Sequence, residues 1–222
     1  MPERRLRLRN EKRKPLKIVP TAPKVPNRAA RERLLKEAAR LFSRKGYAAT
    51  TTREIVALAG VTKPVLYYYF KSKEGIYLEL MRGVFIQFGA LLDAFCNRPG
   101  SPPEKILHLC DQVFALFMNN VEIVRLIYSM YYGPPQGAPF VDFDALHNKF
   151  RNSLRQLVKE GIRKRAFRKR DPEEMTWALL GAVNIVIETE LCHPERAPGR
   201  VGLRRILGLI FSGMSTKQSQ LE

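Results

Sequence analysis

Hydrophobic positions recur at helical spacing from residue 34 onward. An apolar stripe with i, i+3, i+4 spacing and charged neighbours contains Leu34, Leu35, Ala38, Leu41 and Phe42, and Gly46 follows as a stop. The same periodicity, interrupted by Gly, Pro and Asn, predicts eight further helices: Thr52–Ala59, Lys63–Phe70, Lys73–Phe95, Pro103–Met118, Val121–Tyr132, Asp142–Arg165, Pro172–Leu191 and Val201–Met214. No segment alternates convincingly at period two, so the predicted fold class is all-α.

The second and third predicted helices are short, and Gly60 lies between them. Thr51 and Glu54 match the T-x-x-E capping box that satisfies free amides at a helix start. Gly60 permits the tight turn that follows, and Thr62 is predicted to cap the next helix. Two short helices joined in this way predict a helix-turn-helix, whose second helix enters the major groove of DNA.

The polar face of the third helix is expected to contact DNA. Leu66 and Phe70 are four residues apart and are predicted to point into the core. Three consecutive tyrosines sweep about 200° of a helix, so Tyr67 and Tyr68 are predicted to be exposed. Their hydroxyls suit phosphate oxygens, and Lys63 beside them can reach guanine O6 and N7. Lys73, at the start of the fourth helix, is expected to clamp a phosphate together with backbone amides.

Several short motifs occur in a fixed order between residues 28 and 77: Leu41-Phe42 with Gly46, Thr50-Thr51-Thr52, Ile55, Ala59-Gly60-Val61-Thr62, Leu66-Tyr67-x-Tyr69-Phe70 and Lys73-Glu74. In this order and spacing they resemble the DNA-binding domain of the tetracycline-repressor (TetR) family of bacterial regulators. The resemblance covers about fifty residues. It implies a homodimer that binds a palindromic operator and carries a helical ligand-binding domain downstream.

The resemblance also implies a role for individual positions. The base-reading start of the recognition helix corresponds to Thr62, Lys63 and Pro64. The phosphate contacts correspond to Tyr67, Tyr68 and Lys73, and contacts from the preceding helix to Thr52 and Arg53. The sequence departs from the family at Val56, where the family often has Ala, and in a longer leading segment.

Charge is distributed unevenly over three predicted regions: a disordered basic arm (1–26), the helix-turn-helix domain (27–75) and a helical ligand-binding and dimerisation domain (76–222). The formal net charge is +18, which indicates an anionic partner. Residues 1–28 carry +8 and residues 29–75 carry +6. The third region is acidic apart from a basic segment that includes 163–170, which we interpret as a solvated turn or accessory contact rather than a second DNA site.

The last two predicted helices are the candidates for dimerisation. The final helix is apolar over most of its circumference and therefore needs partners on two sides. The predicted interface is a two-fold, four-helix packing of both helices on their copies, formed by Leu179, Val183, Ile187, Ile206 and Ile210. The alternative is that these residues form an ordinary monomeric core.

Aromatic residues of the third region are the candidates for an effector pocket. We expect the pocket to contain Phe114, Phe117, Tyr128, His147, Trp177 and Asn184, although a plain core role accounts for such residues too. The segment Gly133–Pro139 is predicted to be a stiff loop. It either relays pocket occupancy to the DNA-binding domain or merely connects two helices.

Several function classes are not indicated. The sequence has no HExxH, GxSxG or Gly-rich phosphate loop, and its three cysteines are too far apart for a metal site, so no enzyme, cofactor or metal is predicted. The longest charge-free runs predict no membrane partner. The preferred hypothesis is a cytoplasmic, nucleoid-associated repressor that a small apolar effector releases from double-stranded DNA. The alternative is a sequence-indifferent basic DNA-binding protein.

Overall fold

The computed structural model describes residues 28–95 and 99–216, and these fold as an all-α chain, which confirms the predicted class. The helices are α1 (Arg28–Ala49), α2 (Thr52–Ala59), α3 (Lys63–Phe70), α4 (Lys73–Phe95), α5 (Pro102–Asn119), α6 (Val121–Tyr132), α7 (Phe143–Arg163), α8 (Pro172–Cys192) and α9 (Gly199–Met214), with a short 3-10 turn at Pro194–Arg196. The predicted disordered arm, 1–26, lies outside the described residues.

Gly46 kinks α1 three residues before its end. Its φ of 82° and ψ of 161° are not helical. A Cβ at this position would lie 2.6 Å from Oε1 of Gln136, so both the backbone conformation and the space require glycine. The predicted stop is therefore a sharp bend, after which α1 continues to Ala49.

The first hydrophobic core joins α1, α2 and α3 to the beginning of α4. Its fully buried members include Leu34, Phe42, Ile55, Leu66 and Ile76. Leu126 of α6 also belongs to this core. The three-helix unit of α1, α2 and α3 therefore packs on two helices that also build the rest of the molecule: α4 contacts α1 and α3, and α6 contacts α1.

The second core contains the later part of α4 and residues from α5 to α9. Phe88 and Leu92 of α4 and Val124 of α6 are buried in it. The chain bends by 96° between α5 and α6, at Asn120. Because α4 and α6 each contribute to both cores, a shift of either helix changes the packing of both.

A buried carboxylate ties α5 to α9. The side chain of Asp111 is 3% exposed and accepts bonds from Arg200 and from Nε of Arg204, the latter at 2.8 Å. The Arg200 guanidinium, with a smaller contribution from Arg204, holds the pKa of Asp111 well below its usual value. The carboxylate is therefore ionised in the fold, and α9 is fixed by charge as well as by apolar contacts.

The basic turn 163–170 lies at the end of α7 that packs in the second core. Phe167 is buried there against Gly161, whose Cβ would clash with the ring. The Arg168 amide donates to the Met214 carbonyl at 2.8 Å, and Phe167 pairs with Ser215 in an isolated bridge. The opposite end of α7 packs on the first core, so the turn is at the end remote from the helix-turn-helix.

Within the part of the chain that the structure describes, α4 and α8 are long and apolar enough to span a membrane by length and composition alone, as is the bent pair of α5 and α6 if it is taken as one span. The sequence analysis predicted no membrane partner because the charge-free runs are short. The result differs because a membrane-spanning helix can contain an occasional charged residue. Both α4 and α8 supply buried residues to the cores described above. Many of their apolar residues are therefore buried by packing within the chain itself.

Candidate DNA-binding surface and apolar cavity

The start of α2 has the capping box that the sequence predicts. The Glu54 amide donates to Oγ1 of Thr51 at 3.3 Å, and the Thr51 amide donates to Oε2 of Glu54 at 2.9 Å. Lys45 of α1 pairs with the other carboxylate oxygen. The Lys45 ammonium and the Thr51 bonds lower the pKa of Glu54 to about 2, so the box stays charged at neutral pH.

The turn between α2 and α3 is fixed by glycine conformation and by α1. Gly60 is left-handed, with φ 62° and ψ 40°, and Arg33 Nε donates to the adjacent Ala59 carbonyl at 3.0 Å. Thr62 occupies the N-cap of α3 as predicted, but its side chain makes no cap hydrogen bond. Its exposed hydroxyl is therefore not used by the helix start, which corrects the predicted capping role.

The outer face of α3 is exposed as predicted. Tyr67 is 46% exposed and Tyr68 61% exposed, while Leu66 is fully buried. Among the other residues predicted to contact DNA, Thr52 is half-buried, and the exposed ones are Arg53, Thr62, Lys63 and Pro64. All of these predicted DNA contacts are therefore at least partly open to solvent on α2, α3 and the turn between them.

Lys73 is the exception, since its ammonium is turned toward the protein. Nζ donates to the carbonyls of Tyr47 at 2.9 Å and Thr50 at 3.0 Å, and it lies 4.2 Å from the centroid of the Tyr47 ring. The prediction of a free phosphate clamp is corrected. Lys73 instead holds the end of α1, where the last carbonyls of the helix attract a cation.

Sequence reasoning did not single out Gln136. Its Oε1 accepts from the Tyr47 amide at 2.8 Å, and its Nε2 donates to Oγ of Ser129 on α6 at 2.9 Å. One side chain thus connects the loop after α6 with the kink of α1. The only signals in the sequence were a polar residue inside a Gly/Pro-rich loop and the glycine at position 46.

A partly enclosed cavity of about 110 Å3 lies between α4, α5, α6, α7 and α8. It shares α4 and α6 with the first core. Aromatic rings form much of its wall, and none of its lining residues is Asp, Glu, Lys or Arg. The lining residues are Val84, Phe88, Val113, Phe117, Val124, Ile127, Tyr128, Tyr131, Tyr132, Phe143, Leu146, His147, Phe150, Val183, Asn184 and Ile187.

Four of the six predicted pocket residues line this cavity: Phe117, Tyr128, His147 and Asn184. Phe114 is buried in the second core and does not line it. Trp177 is 49% exposed on the outside of α8, with the Arg151 guanidinium 5.6 Å from its ring centroid. The sequence identified the apolar helices correctly, but it could not tell which side of each helix faces the cavity.

The predicted dimer stripe on α8 is wrong. Leu179, Val183 and Ile187 are buried within the chain, and the last two line the cavity. On α9, Ile206 and Ile210 are half-buried against the second core. The exposed apolar residues on these two helices lie on other faces: Trp177, Ile185, Val201 and Leu209.

Comparison with known proteins agrees with this architecture. The sequence profile of the bacterial regulatory proteins of the tetR family matches residues 34–80. The HTH-type transcriptional repressor KstR2 of Mycolicibacterium smegmatis is 32% identical over 156 residues, which cover 66% of this chain and 73% of that protein. The uncharacterized regulator YerO of Bacillus subtilis is 35% identical over 78 residues, 35% of this chain but only 27% of that protein.

The same relationship extends to solved structures. The TetR-family regulator PfmR of Thermus thermophilus superposes with a TM-score of 0.65 at 26% identity, covering 81% of this chain and 97% of that one. The similarity to KstR2 reaches beyond the helix-turn-helix into the second core. The chain therefore belongs to the TetR family and is a DNA-binding transcriptional regulator.

Proposed function

We propose that the chain is a ligand-responsive repressor that binds a palindromic operator as a homodimer, in the cytoplasm and at the nucleoid, without catalysis. The observation that carries the proposal is the position of the apolar cavity. Its walls include α4, which packs on α1 and α3, and α6, which packs on α1, the helix that supports the helix-turn-helix. A ligand that favours one arrangement of these helices changes the affinity for DNA through differential binding to two states.

The exposed surface of α2 and α3 supports sequence-specific binding. Lys63 lies at the first turn of α3, where side chains reach base edges in the major groove. Tyr67 and Tyr68 follow on the same helix with hydroxyls suited to phosphate oxygens. Phosphate contacts position the protein, and base contacts from the start of α3 supply the sequence preference.

The outer faces of α8 and α9 support the homodimer. Ile185 is 56% exposed and Leu209 74% exposed, and large apolar side chains at these levels indicate an interaction surface when they share a face. Among the described residues, a Cβ added at Gly181 or Gly208 would meet no atom within 4 Å apart from the adjoining backbone of its own helix. These glycines leave room for close approach by the helices of a second copy.

Selection of bound DNA from a random pool tests the proposal. We expect enrichment of one palindrome whose half-sites are about one helical turn, roughly 34–36 Å, apart. Lys63→Ala should reduce the preference for that operator over random DNA by about 1–3 kcal/mol, the value of one good base contact. Lys36→Ala removes the same charge from an exposed position on α1 and serves as the matched control.

Two results would contradict the proposal. A pool without any enriched sequence would favour a sequence-indifferent DNA-binding protein, whose affinity depends on salt and not on sequence. An unchanged preference in Lys63→Ala would remove that residue from base recognition. The stoichiometry of the operator complex reports the homodimer independently of both readings.

A further inference from the structure

The wall of the apolar cavity excludes a charged ligand. None of its lining residues carries a fixed charge, and the titratable side chain His147 is at an exposed position. An ion that left water for this cavity would lose its hydration without gaining a counter-charge in the wall, and Glu188, whose charge acts on Tyr128, is at an exposed position where water and salt screen it. An uncharged ligand has no such cost, and rings such as Phe88, Phe117 and Phe150 favour edge-to-face contact with another ring.

The size of the cavity limits the ligand further. Its volume of about 110 Å3 is somewhat below the roughly 150 Å3 of an engineered protein cavity that holds benzene. A single aromatic ring is therefore the largest group that this space encloses as it stands, and substituents must extend through the open part of the partly enclosed cavity. Fused ring systems and long acyl chains would require the helices to move apart.

Two half-buried polar side chains in the wall have no hydrogen-bond partner among residues 28–95 and 99–216. Asn184 of α8 is half-buried and presents both an amide donor and a carbonyl acceptor. Tyr128 of α6 is half-buried as well, and burial raises the pKa of its hydroxyl to about 12. It therefore remains a neutral donor and acceptor at physiological pH. Polar groups placed in an otherwise apolar pocket usually orient a ligand.

We propose that the effector is an uncharged compound built on one aromatic ring and bearing a hydroxyl or similar neutral hydrogen-bonding group, as in small substituted phenols. The ring packs among Phe88, Phe117 and Phe150, and the polar group binds Asn184 and Tyr128. The proposal rests on the proposed function, in which this cavity is the effector site. It adds the chemical class of the ligand and the two side chains that recognise it.

Calorimetric titration of the full chain at pH 7 with three matched probes tests the ligand class. The probes are 4-methylphenol, toluene and 4-methylbenzoate, which share the ring and differ in polarity and charge. We expect 4-methylphenol to bind at least tenfold more tightly than either of the others. Equal affinity for toluene, a preference for the benzoate or no binding of any probe would overturn the proposal.

Variants of the two polar residues test their roles. Tyr128→Phe removes only the hydroxyl and Asn184→Leu replaces the amide by an apolar group of similar size, so each should weaken the binding of 4-methylphenol severalfold and bring its affinity closer to that for toluene. Asn152→Leu makes the same change at an exposed position of α7 and should leave all affinities unchanged. Unaltered phenol binding in both cavity variants would show that other groups hold the ligand.

The failure of this proposal is distinguishable from that of the proposed function. Operator selection requires no ligand, so an enriched palindrome with no phenol binding would overturn the ligand class and leave the regulator in place. Phenol binding without any selected operator would do the opposite. Release of the selected operator by 4-methylphenol would connect the two.

Discussion

At the scale of single residues, the position of a polar side chain depends on which hydrogen-bonding groups nearby need a partner, as Lys73 shows. Lys73 follows a short linker after α3, in the position that the family resemblance assigns to a phosphate contact. The carbonyls of Tyr47 and Thr50 lie where α1 ends, beyond the bend at Gly46, and the Lys73 ammonium binds both. A half-buried charge with two bonds of this kind contributes to stability.

Replacement of Lys73 should therefore destabilise the fold. We expect Lys73→Met to lower the free energy of unfolding by about 1–3 kcal/mol, since hydrogen bonds to charged groups are worth about that much. Urea denaturation measures the change. The exposed Lys71, two residues earlier, provides the control, because Lys71→Met should stay within about 0.5 kcal/mol of the wild type. Equal effects of the two substitutions would contradict the role given to Lys73.

Asp111 gives stability a defined pH dependence. Because its pKa is below the ordinary 3.8 in the fold, its contribution is complete at neutral pH and declines as the pH drops below about 4. Asp111→Asn should lower the free energy of unfolding by about 1–3 kcal/mol at pH 7, because it removes the charged acceptor of the bonds from Arg200 and Arg204. The loss is no larger because both arginines are half-exposed and stay hydrated.

The difference between Asp111→Asn and the wild type should shrink when unfolding is measured at pH 3. Asp93→Asn is the matched control, since Asp93 pairs with Lys149 while 69% exposed. Exposed pairs of this kind contribute at most about 1 kcal/mol. A constant effect of Asp111→Asn from pH 7 to pH 3 would be inconsistent with an ionised, paired carboxylate.

At the scale of elements, one side chain of the loop after α6, that of Gln136, connects α6 to α1. Tyr131 and Tyr132, which line the cavity, lie between Ser129 and this loop. Gln136 then bonds Ser129 on one side and the Tyr47 amide on the other. The loop thus forms a direct connection between the wall of the cavity and the kink that precedes α2.

Gln136→Ala should release the Tyr47 amide. Loss of one hydrogen bond, worth about 0.5–1.5 kcal/mol, corresponds to a roughly two- to tenfold faster hydrogen exchange at that amide. Gln87→Ala, at an exposed position of α4, should leave the exchange rate unchanged. If the Tyr47 amide exchanges equally in both variants, the loop only joins two helices.

At the scale of the whole molecule, α8 and α9 have two apolar sides with different roles. The inner side builds the core and the cavity, and the outer side exposes Ile185 and Leu209 beside glycines. A chain that recognises two half-sites needs a second copy held at a fixed distance, and this outer side is the surface available for it.

Charge placed on the outer side should separate the subunits. We expect Ile185→Arg and Leu209→Arg to yield a monomer by light scattering and to lose cooperative operator binding. Ile86→Arg makes the same change at a 62% exposed position of α4 and should remain dimeric. A monomeric wild type at micromolar concentration would contradict the proposed homodimer directly.

The sequence by itself determined the local features. Helix bounds agree within a few residues for eight of the predicted helices, from Thr52–Ala59 to Val201–Met214, because apolar periodicity, caps and breakers act over a few residues. The capping box of Thr51 and Glu54, the left-handed Gly60 and the exposed tyrosines of α3 follow for the same reason.

Only the tertiary structure decided which face of each long apolar helix turns inward. On α8, apolar residues surround most of the helix, so periodicity did not separate the buried Leu179, Val183 and Ile187 from the exposed Ile185. The Lys73 carbonyl contacts, the Gln136 bridge and the Asp111 pair with Arg200 join residues 23 to 89 positions apart. Such contacts depend on how helices pack in three dimensions, which no local pattern specifies.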